Sequence, residues 1–416
     1  MLFRSDENAV DINPSGAVLD RHQRQEQFDL SLGNQSHLSE GTTVLVRGHF
    51  GLFREQLLQD QRGSRALDDY SQSITRLYEG VAQAEHRLGD HVLTGGLEVE
   101  DDRIDSVRLE RSPANRVRGG VFLQDEWDVR LSSSATGPRL KVAPGFRFDL
   151  DSQFGGAPSP RLALKLDPTP ALTVRASAGL GFRPPSFEEL YLLFSNASVG
   201  YVVAGNPALT AEHSASVNVG VDWRPPPLPG WVLSASVFHT QLRNLINVTA
   251  SGAPNPDNPV TYNYENVAQA YTQGVELDAR MRLPVPATYL DLGYTLLNAQ
   301  DVTRARPLEG RSRYRVNAQL TTRVRPLRLE AVVRGSWSSS RVYFLGADGG
   351  MANVIGFGDE TEVHTPAYFD LEAQVNYQVG WGFGLFVNGY NLLNAGDQQF
   401  NPRPPRGVLG GVRWEY

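Results

Sequence analysis

The sequence predicts an all-β fold, a transmembrane antiparallel β-barrel of about 16–18 strands. Three observations predict it: apolar and polar residues alternate in step with a strand, the alternating runs are long enough to cross a bilayer, and long and short connections alternate between them. No segment of the 416 residues approaches the ~20 apolar residues of a membrane-spanning helix. The polar average composition fits a barrel, because every second residue of a barrel strand faces the lumen.

The alternating runs extend over the whole chain, and roughly 17 segments show the pattern. Between residues 217 and 223, for example, valines and a tryptophan alternate with polar residues such as Asn218 and Asp222. A period of two places one set of side chains on each face of a strand. Many runs exceed the ~5–6 residues of a usual strand and match the ~9–11 that cross a bilayer at a tilt. Comparable runs cover residues 172–180, 275–283, 313–320 and 369–377.

The carboxy-terminal residues predict a strand with one apolar, aromatic face. Tyr416, Trp414 and Val412 share that face, whereas Arg413 and Glu415 lie on the other. Aromatic residues at a strand end are typical of the girdle that a membrane barrel places at the lipid–water interface. The alternative for this segment alone is the edge strand of a soluble sandwich.

The connections between the last nine predicted strands alternate between long and short without exception. Membrane barrels have short periplasmic turns and long extracellular loops, and a sandwich has no reason for such an alternation. The pattern therefore favours the barrel. The long connections are residues 183–211, 248–261, 301–310, 342–363 and 394–405; the short ones are 224–230, 284–287, 325–327 and 379–382.

The same alternation sets the direction of each strand. If the long connections are extracellular, the last strand runs toward the periplasm and the first clear strand, near residues 25–33, also runs downward. We expect residues 1–24 to be a loop or the remnant of a missing hairpin on the extracellular side. Residues 25–416 would form the barrel, and an odd strand count predicts that the barrel is incomplete.

Composition excludes several classes of function. Cysteine is absent, which excludes disulfide scaffolds and thiolate metal sites, and the net charge of −7 makes a nucleic-acid partner unexpected. No nucleophile motif accompanies the histidines, so we expect no enzyme, no catalytic residue and no cofactor. We also expect no metal site. The acidic run with Asp101, Asp102 and Asp105 resembles a hard-cation cluster, but we favour a solvated acidic loop.

Two blocks of residues, about 200 positions apart, carry a resemblance to a known family. The first block is Gly181-Phe182-Arg183-Pro184-Pro185-Ser186-Phe187-Glu188-Glu189-Leu190-Tyr191, followed by Gly205-Asn206-Pro207-Ala208-Leu209 and by Glu212. The second block is Phe386-Val387-Asn388-Gly389-Tyr390-Asn391-Leu392-Leu393-Asn394, followed by the closing strand that ends at Tyr416. These blocks resemble the conserved boxes of the TonB-dependent receptors of the Gram-negative outer membrane.

The resemblance implies a barrel of about 22 strands with a plugged lumen. It implies location in the outer membrane, contact with lipid and with the barrel assembly machinery, and uptake of a bulky nutrient such as a ferric siderophore or cobalamin. In the family, the plug contacts the TonB complex, and we expect no plug domain in this sequence. The alternative is a passive, porin-like substrate channel, since the inward-facing charges suit a wet lumen equally well.

The first block has a structural and a ligand-binding interpretation. Its two prolines remove backbone donors and end a strand, and Ser186 can cap a short helical turn. We favour this structural role for the boxes and expect it for Phe182, Pro184, Pro185, Glu189, Asn206, Pro207, Glu212, Asn391, Leu392 and Tyr416. The candidates for ligand contact in the extracellular loops are Arg183, Tyr191, Phe194, Tyr201, Tyr262, Tyr264, Tyr343 and Phe344. For the aromatic candidates, packing within the loops or the interfacial girdle is the favoured alternative.

Overall fold

The computed structural model describes residues 2–12, 16–134, 137–196, 201–251, 260–345, 361–396 and 404–414. These residues form 23 strands, one short α-helix and one 3₁₀ turn. Neither helix in this part of the chain is long or apolar enough to span a bilayer. The strands are β1 (Leu2–Ile12), β2 (Val18–Ser39), β3 (Thr42–Gln61), β4 (Asp69–Leu88), β5 (His91–Ser106), β6 (Ala114–Arg130), β7 (Arg139–Asp151), β8 (Gly155–Thr169), β9 (Leu172–Arg183), β10 (Leu193–Asn196), β11 (Tyr201–Ala204), β12 (Glu212–Trp223), β13 (Val232–Ser251), β14 (Val260–Arg282), β15 (Thr288–Asp301), β16 (Arg306–Pro307), β17 (Tyr314–Val324), β18 (Leu329–Ser338), β19 (Val342–Leu345), β20 (Thr361–His364), β21 (Tyr368–Gly380), β22 (Phe383–Tyr390) and β23 (Gly407–Trp414).

Eighteen of these strands, all except β10, β11, β16, β19 and β20, form one continuous antiparallel wall. Each wall strand pairs with the next one along the chain, and β9 pairs with β12 across the intervening loop. No pairing joins β1 to β23 within the described residues, so the sheet is open there. The prediction of a barrel with 16–18 strands and incomplete closure is confirmed.

The two faces of the wall differ in chemistry. On β12, Val217 and Val219 are 50% and 43% exposed, and their alternate neighbours are polar. Cross-strand pairing carries this division around the sheet: Val217 lies opposite Ala178 and His239, whereas Asn218 lies opposite Ser177 and Phe238. We call the face with the exposed apolar side chains the outer face and the other the inner face. An apolar surface of this extent suits contact with lipid and does not suit contact with water.

Several phenylalanine rings on the inner face lie over a glycine of the adjacent strand. Phe386 lies opposite Gly411, and a Cβ atom built on that glycine would come within 2.5 Å of the ring. Phe122 and Gly96 form a second pair, with a corresponding distance of 2.6 Å. Glycine thus makes room for the ring, a device that helps a sheet to curve while its strands stay in register.

The predicted alternation of connections is confirmed at the carboxy-terminal end of the wall. Residues 184–211, 302–313, 339–367 and 391–406 are long connections at one end of the sheet, which we call the long-loop end. The connections 283–287, 325–328 and 381–382 are short and lie at the opposite, short-turn end. The predicted loop 248–261 was too wide, because β13 continues to Ser251 and β14 starts at Val260. The extensions continue the apolar–polar alternation of their strands, as Val248-Thr249-Ala250-Ser251 and Val260-Thr261, so the predicted loop should have been limited to the Pro- and Asn-rich residues between them.

The amino-terminal segment differs from its prediction. Residues 2–12 form β1, and residues 18–24 are the start of β2, so the first clear strand begins earlier than expected near 25–33. This added strand makes the wall count even and places Leu2 at the short-turn end rather than the expected extracellular end. The hairpin escapes a search for apolar periodicity because both of its faces are largely polar. Asp6 forms an ion pair across the hairpin with Arg24 of β2 and another along β1 with Arg4.

Candidate functional site at the long-loop end

Residues 184–196 and 201–211 form the candidate site, which we call the mouth cap. Pro184 and Pro185 follow the last residue of β9, and the helix α1 (Phe187–Tyr191) begins after Ser186. The Ser186 hydroxyl accepts from the Glu189 backbone N–H at 3.1 Å, and the Glu189 carboxylate accepts from the Ser186 N–H at 2.6 Å. This reciprocal pair is a capping box, and it confirms the predicted cap of a short helical turn.

The mouth cap encloses a small hydrophobic core of its own. Its buried members come from the cap, from the β5–β6 connection and from the adjoining ends of β5 and β6, and Phe154, Ile246 and Tyr264 pack against them. The core anchors the cap to the wall at several points, so the cap is a folded layer rather than a free loop. The buried members are Ile104, Leu109, Ala114, Phe187, Leu190, Tyr191 and Leu209.

An ion cluster joins the two ends of the mouth cap. Arg183 donates to Glu212 through two contacts of 2.6 Å and to Glu189 through two of 3.1 Å. Glu212 is 7% exposed and also accepts from the Ile246 backbone N–H at 2.8 Å. A bidentate arginine–carboxylate pair is among the stronger polar contacts in proteins. Arg183, directly before the cap, is therefore joined to Glu212, directly after it, and Glu212 is joined to β13 through Ile246.

Arg116 supports the cap from below, and the sequence interpretation missed it. Its guanidinium donates to the Pro185 carbonyl oxygen at 2.7 Å and lies 5.1 Å from the centre of the Phe187 ring. It also lies 3.8 Å from carboxylate oxygens of Asp102 and Asp151. One signal was available: Arg116 and Arg118 are two residues apart, and Glu100 and Asp102 have the same spacing. The sequence does not say that these two segments are paired strands, so it could not place the arginines opposite the acids.

The second half of the cap is joined to the long β13–β14 hairpin. The Asn206 side chain donates to the Tyr264 carbonyl oxygen at 2.8 Å and accepts from the Ala208 N–H at 2.9 Å. Strand β11 pairs in parallel with the start of β14. This start of β14 pairs with the end of β13 and projects beyond β15, whose last residue Asp301 lies opposite Ala270. Burial raises the pKa of Tyr264 there, and the charges of Glu189 and Glu188 raise it further, so the phenol is neutral at physiological pH.

Most of the predicted ligand-contact residues near the cap have packing partners. Tyr191 is 9% exposed in the core, and Phe194 lies beneath the Arg108 guanidinium at 5.1 Å. Tyr264 packs against the same core, and Tyr262 is half-buried. The backbone of Tyr201 belongs to β11, and its side chain lies outside the described residues.

Tyr343 and Phe344 lie on β19, in the connection between β18 and β21, and form a separate group. Phe344 is 9% exposed, and the Arg306 guanidinium lies 4.1 Å from its ring centre. The Tyr343 hydroxyl lies against Gly310. The structure thus places the aromatic candidates in two groups at the long-loop end, and their contact with a ligand stays a prediction.

The second family block organises the connection between β22 and β23. Asn391 is 6% exposed, and its side chain donates to the carbonyl oxygens of Ala395 and Pro404 at 3.0 and 2.8 Å. The Leu392 N–H donates to the Leu371 carbonyl oxygen at 2.9 Å. These contacts agree with a structural role for the block. Tyr416 lies outside the described residues.

The acidic run on β5 is part of the wall, not a solvated loop. Glu98, Glu100 and Asp102 point to the inner face, where Arg147 lies 2.8 Å from Glu98 and Arg118 lies 2.7 Å from Glu100. The acidic residues were misread because their arginine partners come from β6 and β7, which the sequence alone does not place opposite them. In the described part of the chain, no group of three or more acidic or histidine side chains is arranged to hold a metal ion.

Comparisons with known proteins agree with this architecture. The chain is 25% identical over 249 residues to an iron-regulated outer membrane virulence protein of Vibrio cholerae. The aligned region covers 56% of this chain and 36% of the relative. It is 26% identical over 290 residues to the vitamin B12 transporter BtuB of Photobacterium profundum. This alignment covers 67% of this chain and 44% of the transporter. The chain thus spans less than half of the length of these curated relatives.

A solved structure and a family model extend the comparison to nearly the whole chain. The siderophore receptor PirA of Acinetobacter baumannii superimposes with a TM-score of 0.73 at 15% identity, over 100% of this chain and 70% of the receptor. A likeness at this identity shows the fold. The family model described as TonB dependent receptor-like, beta-barrel matches residues 4–392. The chain therefore belongs to the TonB-dependent receptor-like β-barrel family.

Proposed function

We propose that this chain is the barrel portion of an outer-membrane receptor for a bulky nutrient, of the ferric siderophore or cobalamin class. The observation that carries the proposal is the mouth cap, a rigid polar and aromatic surface at the end of the wall where the long connections gather. A surface fixed by a core and an ion cluster binds a ligand with little loss of conformational entropy. The membrane partners we propose are the lipid of the Gram-negative outer membrane and the barrel assembly machinery. We propose no catalytic role.

The first test measures binding by the purified full chain in detergent. A ferric catecholate, a ferric hydroxamate and cobalamin serve as three separate probes, and quenching of tryptophan fluorescence reports binding. We expect one probe to bind with a Kd at or below roughly 1 μM, about −8 kcal/mol. Failure of all three probes, together with free passage of small sugars through liposomes that contain the chain, would support the alternative of a passive channel.

The second test concerns energy coupling. We propose that residues 1–416 do not include the family's plug and that contact with the TonB complex is made only through a plug. Cells that express only these residues should therefore accumulate no more of the bound nutrient in a TonB-proficient strain than in a TonB-deficient one. Accumulation that depends on TonB would show that these residues suffice for coupling and would contradict this part of the proposal.

A further inference from the structure

The ladder between β8 and β9 stops inside the wall. Its uppermost pair is Arg161–Gly179, although β8 begins six residues higher, at Gly155, and β9 continues four residues higher, to Arg183. The described residues contain no β8–β9 pair above that point, whereas the ladders of β7 with β8 and of β9 with β12 continue up to Gly155 and Arg183. We call this unpaired interval between β8 and β9 the seam.

The sequence of β8 accounts for the seam. Pro158 and Pro160 lie two positions apart, so their nitrogen atoms face the same edge of the strand. Proline has no N–H to donate, and within sheets it is confined to free strand edges. The ladder with β7 runs through both prolines, opposite Phe148 and Phe146, whereas the ladder with β9 ends just below them. The missing donors therefore belong to the edge that faces β9.

The seam lies within the lipid-facing band of the wall. Leu162 of β8 and Leu180 of β9 point outward beside it and are 43% and 52% exposed. Leu150 of β7 lies opposite Gly156, above both prolines, and is still 61% exposed. Two cavities of about 420 and 600 Å³ follow the seam upward on the outer side, and residues of both strands line each of them, up to Gly156 and Phe182. Since unpaired backbone groups beside lipid are costly, an interrupted ladder at this depth calls for a reason.

The mouth cap covers the seam from above and from the inner side. Phe154, in the β7–β8 turn, packs against the hydrophobic core of the cap. Arg116, on the inner face of β6, donates to the Pro185 carbonyl oxygen at 2.7 Å and lies 3.8 Å from Asp151 at the end of β7. The first residues of the cap therefore lie behind the tip of the β7–β8 hairpin. In agreement, Ala157 on the inner side of β8 is only 2% exposed.

The cap is fastened on both sides of the β7–β8 hairpin. On the β9 side, the Arg183 guanidinium holds Glu212 through two contacts of 2.6 Å. On the other side, the cap reaches the β5–β6 connection, where the Leu193 N–H donates to the Arg108 carbonyl oxygen at 2.8 Å. The cap thus crosses the tip of the hairpin as a strap with one ion-paired end and one hydrogen-bonded end.

We propose that the seam is a lateral gate in the upper wall and that the mouth cap is the strap that holds it closed. When the Arg183–Glu212 pair is broken, the start of the cap leaves the inner side of the hairpin, and the β7–β8 tip swings away from β9. The inner face beside the two prolines then becomes continuous with the lipid-facing surface. The ladder from Arg161–Gly179 downward stays paired and acts as the hinge. The gate does not depend on which nutrient the chain binds.

Single cysteines test the gate, because the chain has no cysteine of its own. The reporter is S159C, between the two prolines and on the inner side of β8. The matched control is A163C, on the same side of β8 but opposite Ser177 in the paired part of the ladder. Each cysteine is placed in the wild-type chain, in E212Q and in E188Q, which changes an exposed carboxylate of the cap helix. The full chain in lipid vesicles is exposed to a pyrenyl maleimide dissolved in the bilayer, and fluorescence reports the rate of labelling.

We expect S159C to be labelled at least fivefold faster in E212Q than in the wild type and at an unchanged rate in E188Q. A163C should be labelled slowly in all three backgrounds. Equal labelling of S159C in E212Q and the wild type would overturn the proposal, even if protease then cleaved the cap faster. An equal acceleration at A163C would also overturn it, because the whole wall would then be fraying. If E212Q fails to fold, as judged by heat-modifiable migration on a gel, R183Q breaks the same ion pair and is judged by the same criteria.

Discussion

Glu212 is the residue on which the mouth cap depends most directly. Its carboxylate holds Arg183 and the Ile246 N–H at once, and it is almost fully buried. Replacement by glutamine preserves the shape and one acceptor but removes the charge that Arg183 requires. Because a hydrogen bond to a charged group contributes about 1.5–3 kcal/mol, we expect E212Q to loosen the cap by a similar amount. Chymotrypsin should then cleave the folded chain faster at Tyr191 and Phe194.

The matched control for this prediction is E188Q. Glu188 is an exposed carboxylate of the same helix and makes no ion pair in the part of the chain that the structure describes. Cleavage of E188Q should proceed at the wild-type rate. Wild-type cleavage of E212Q would mean that the ion cluster does not hold the cap closed.

At this scale, the sequence predicts local contacts and misses distant ones. Ser186 and Glu189 are three residues apart, and their spacing alone indicates the capping box that the structure contains. Arg116 and Pro185 are 69 positions apart, and two strands, β7 and β8, lie between β6 and β9 in the wall. No spacing within either segment could indicate that contact.

At the scale of the strand, the glycine–phenylalanine pairs predict where substitution is costly. A Cβ atom at Gly411 would meet the Phe386 ring at 2.5 Å, whereas one at Gly410 would meet its nearest atom at 3.5 Å. Overpacking of this kind typically costs about 1–3 kcal/mol. We therefore expect G411A to lower the free energy of unfolding by that amount in urea titrations of the chain in lipid vesicles. The adjacent G410A should change it little.

A double-mutant cycle identifies the cause of that loss. If the ring is responsible, the F386L replacement should remove most of the cost of G411A, and the coupling energy should exceed about 0.5 kcal/mol. An additive cycle would assign the cost of G411A to the backbone of β23 instead of to the contact with Phe386.

The elements that the sequence revealed are those with one apolar face. β12 and β21 were predicted because their apolar residues recur at every second position and meet lipid. β1 was missed because its ladder with β2 is formed by backbone hydrogen bonds between mostly polar residues. The extensions of β13 and β14 were missed for a different reason: they do alternate, but the predicted loop was drawn too far on both sides of the Pro- and Asn-rich residues 252–259. Periodicity therefore detects contact with lipid more reliably than it detects strands.

For the molecule as a whole, the assignment of the two faces makes a direct prediction. Val219 and Asn218 are adjacent near the middle of β12, with Val219 on the outer face and Asn218 on the inner face. An arginine on the lipid side near the bilayer centre costs about 2–4 kcal/mol, whereas lumen-facing substitutions mainly alter selectivity. We expect V219R to lose that much stability in vesicles. N218R should lose far less, because its side chain would enter an inner-face cavity that also contains Glu276 and Asp278.

This pair of variants separates a membrane wall from a soluble sheet of the same topology. In a soluble sandwich, the apolar face would be packed against protein, and V219R would be destabilising in detergent, vesicles and aqueous buffer alike. In the barrel wall, the cost should grow with the apolar character and thickness of the surrounding bilayer, because the arginine must reach the interface or draw water inward. A cost of V219R that is the same in thin and thick bilayers, or a larger cost for N218R than for V219R, would contradict the assignment of the outer face to lipid and the inner face to the lumen.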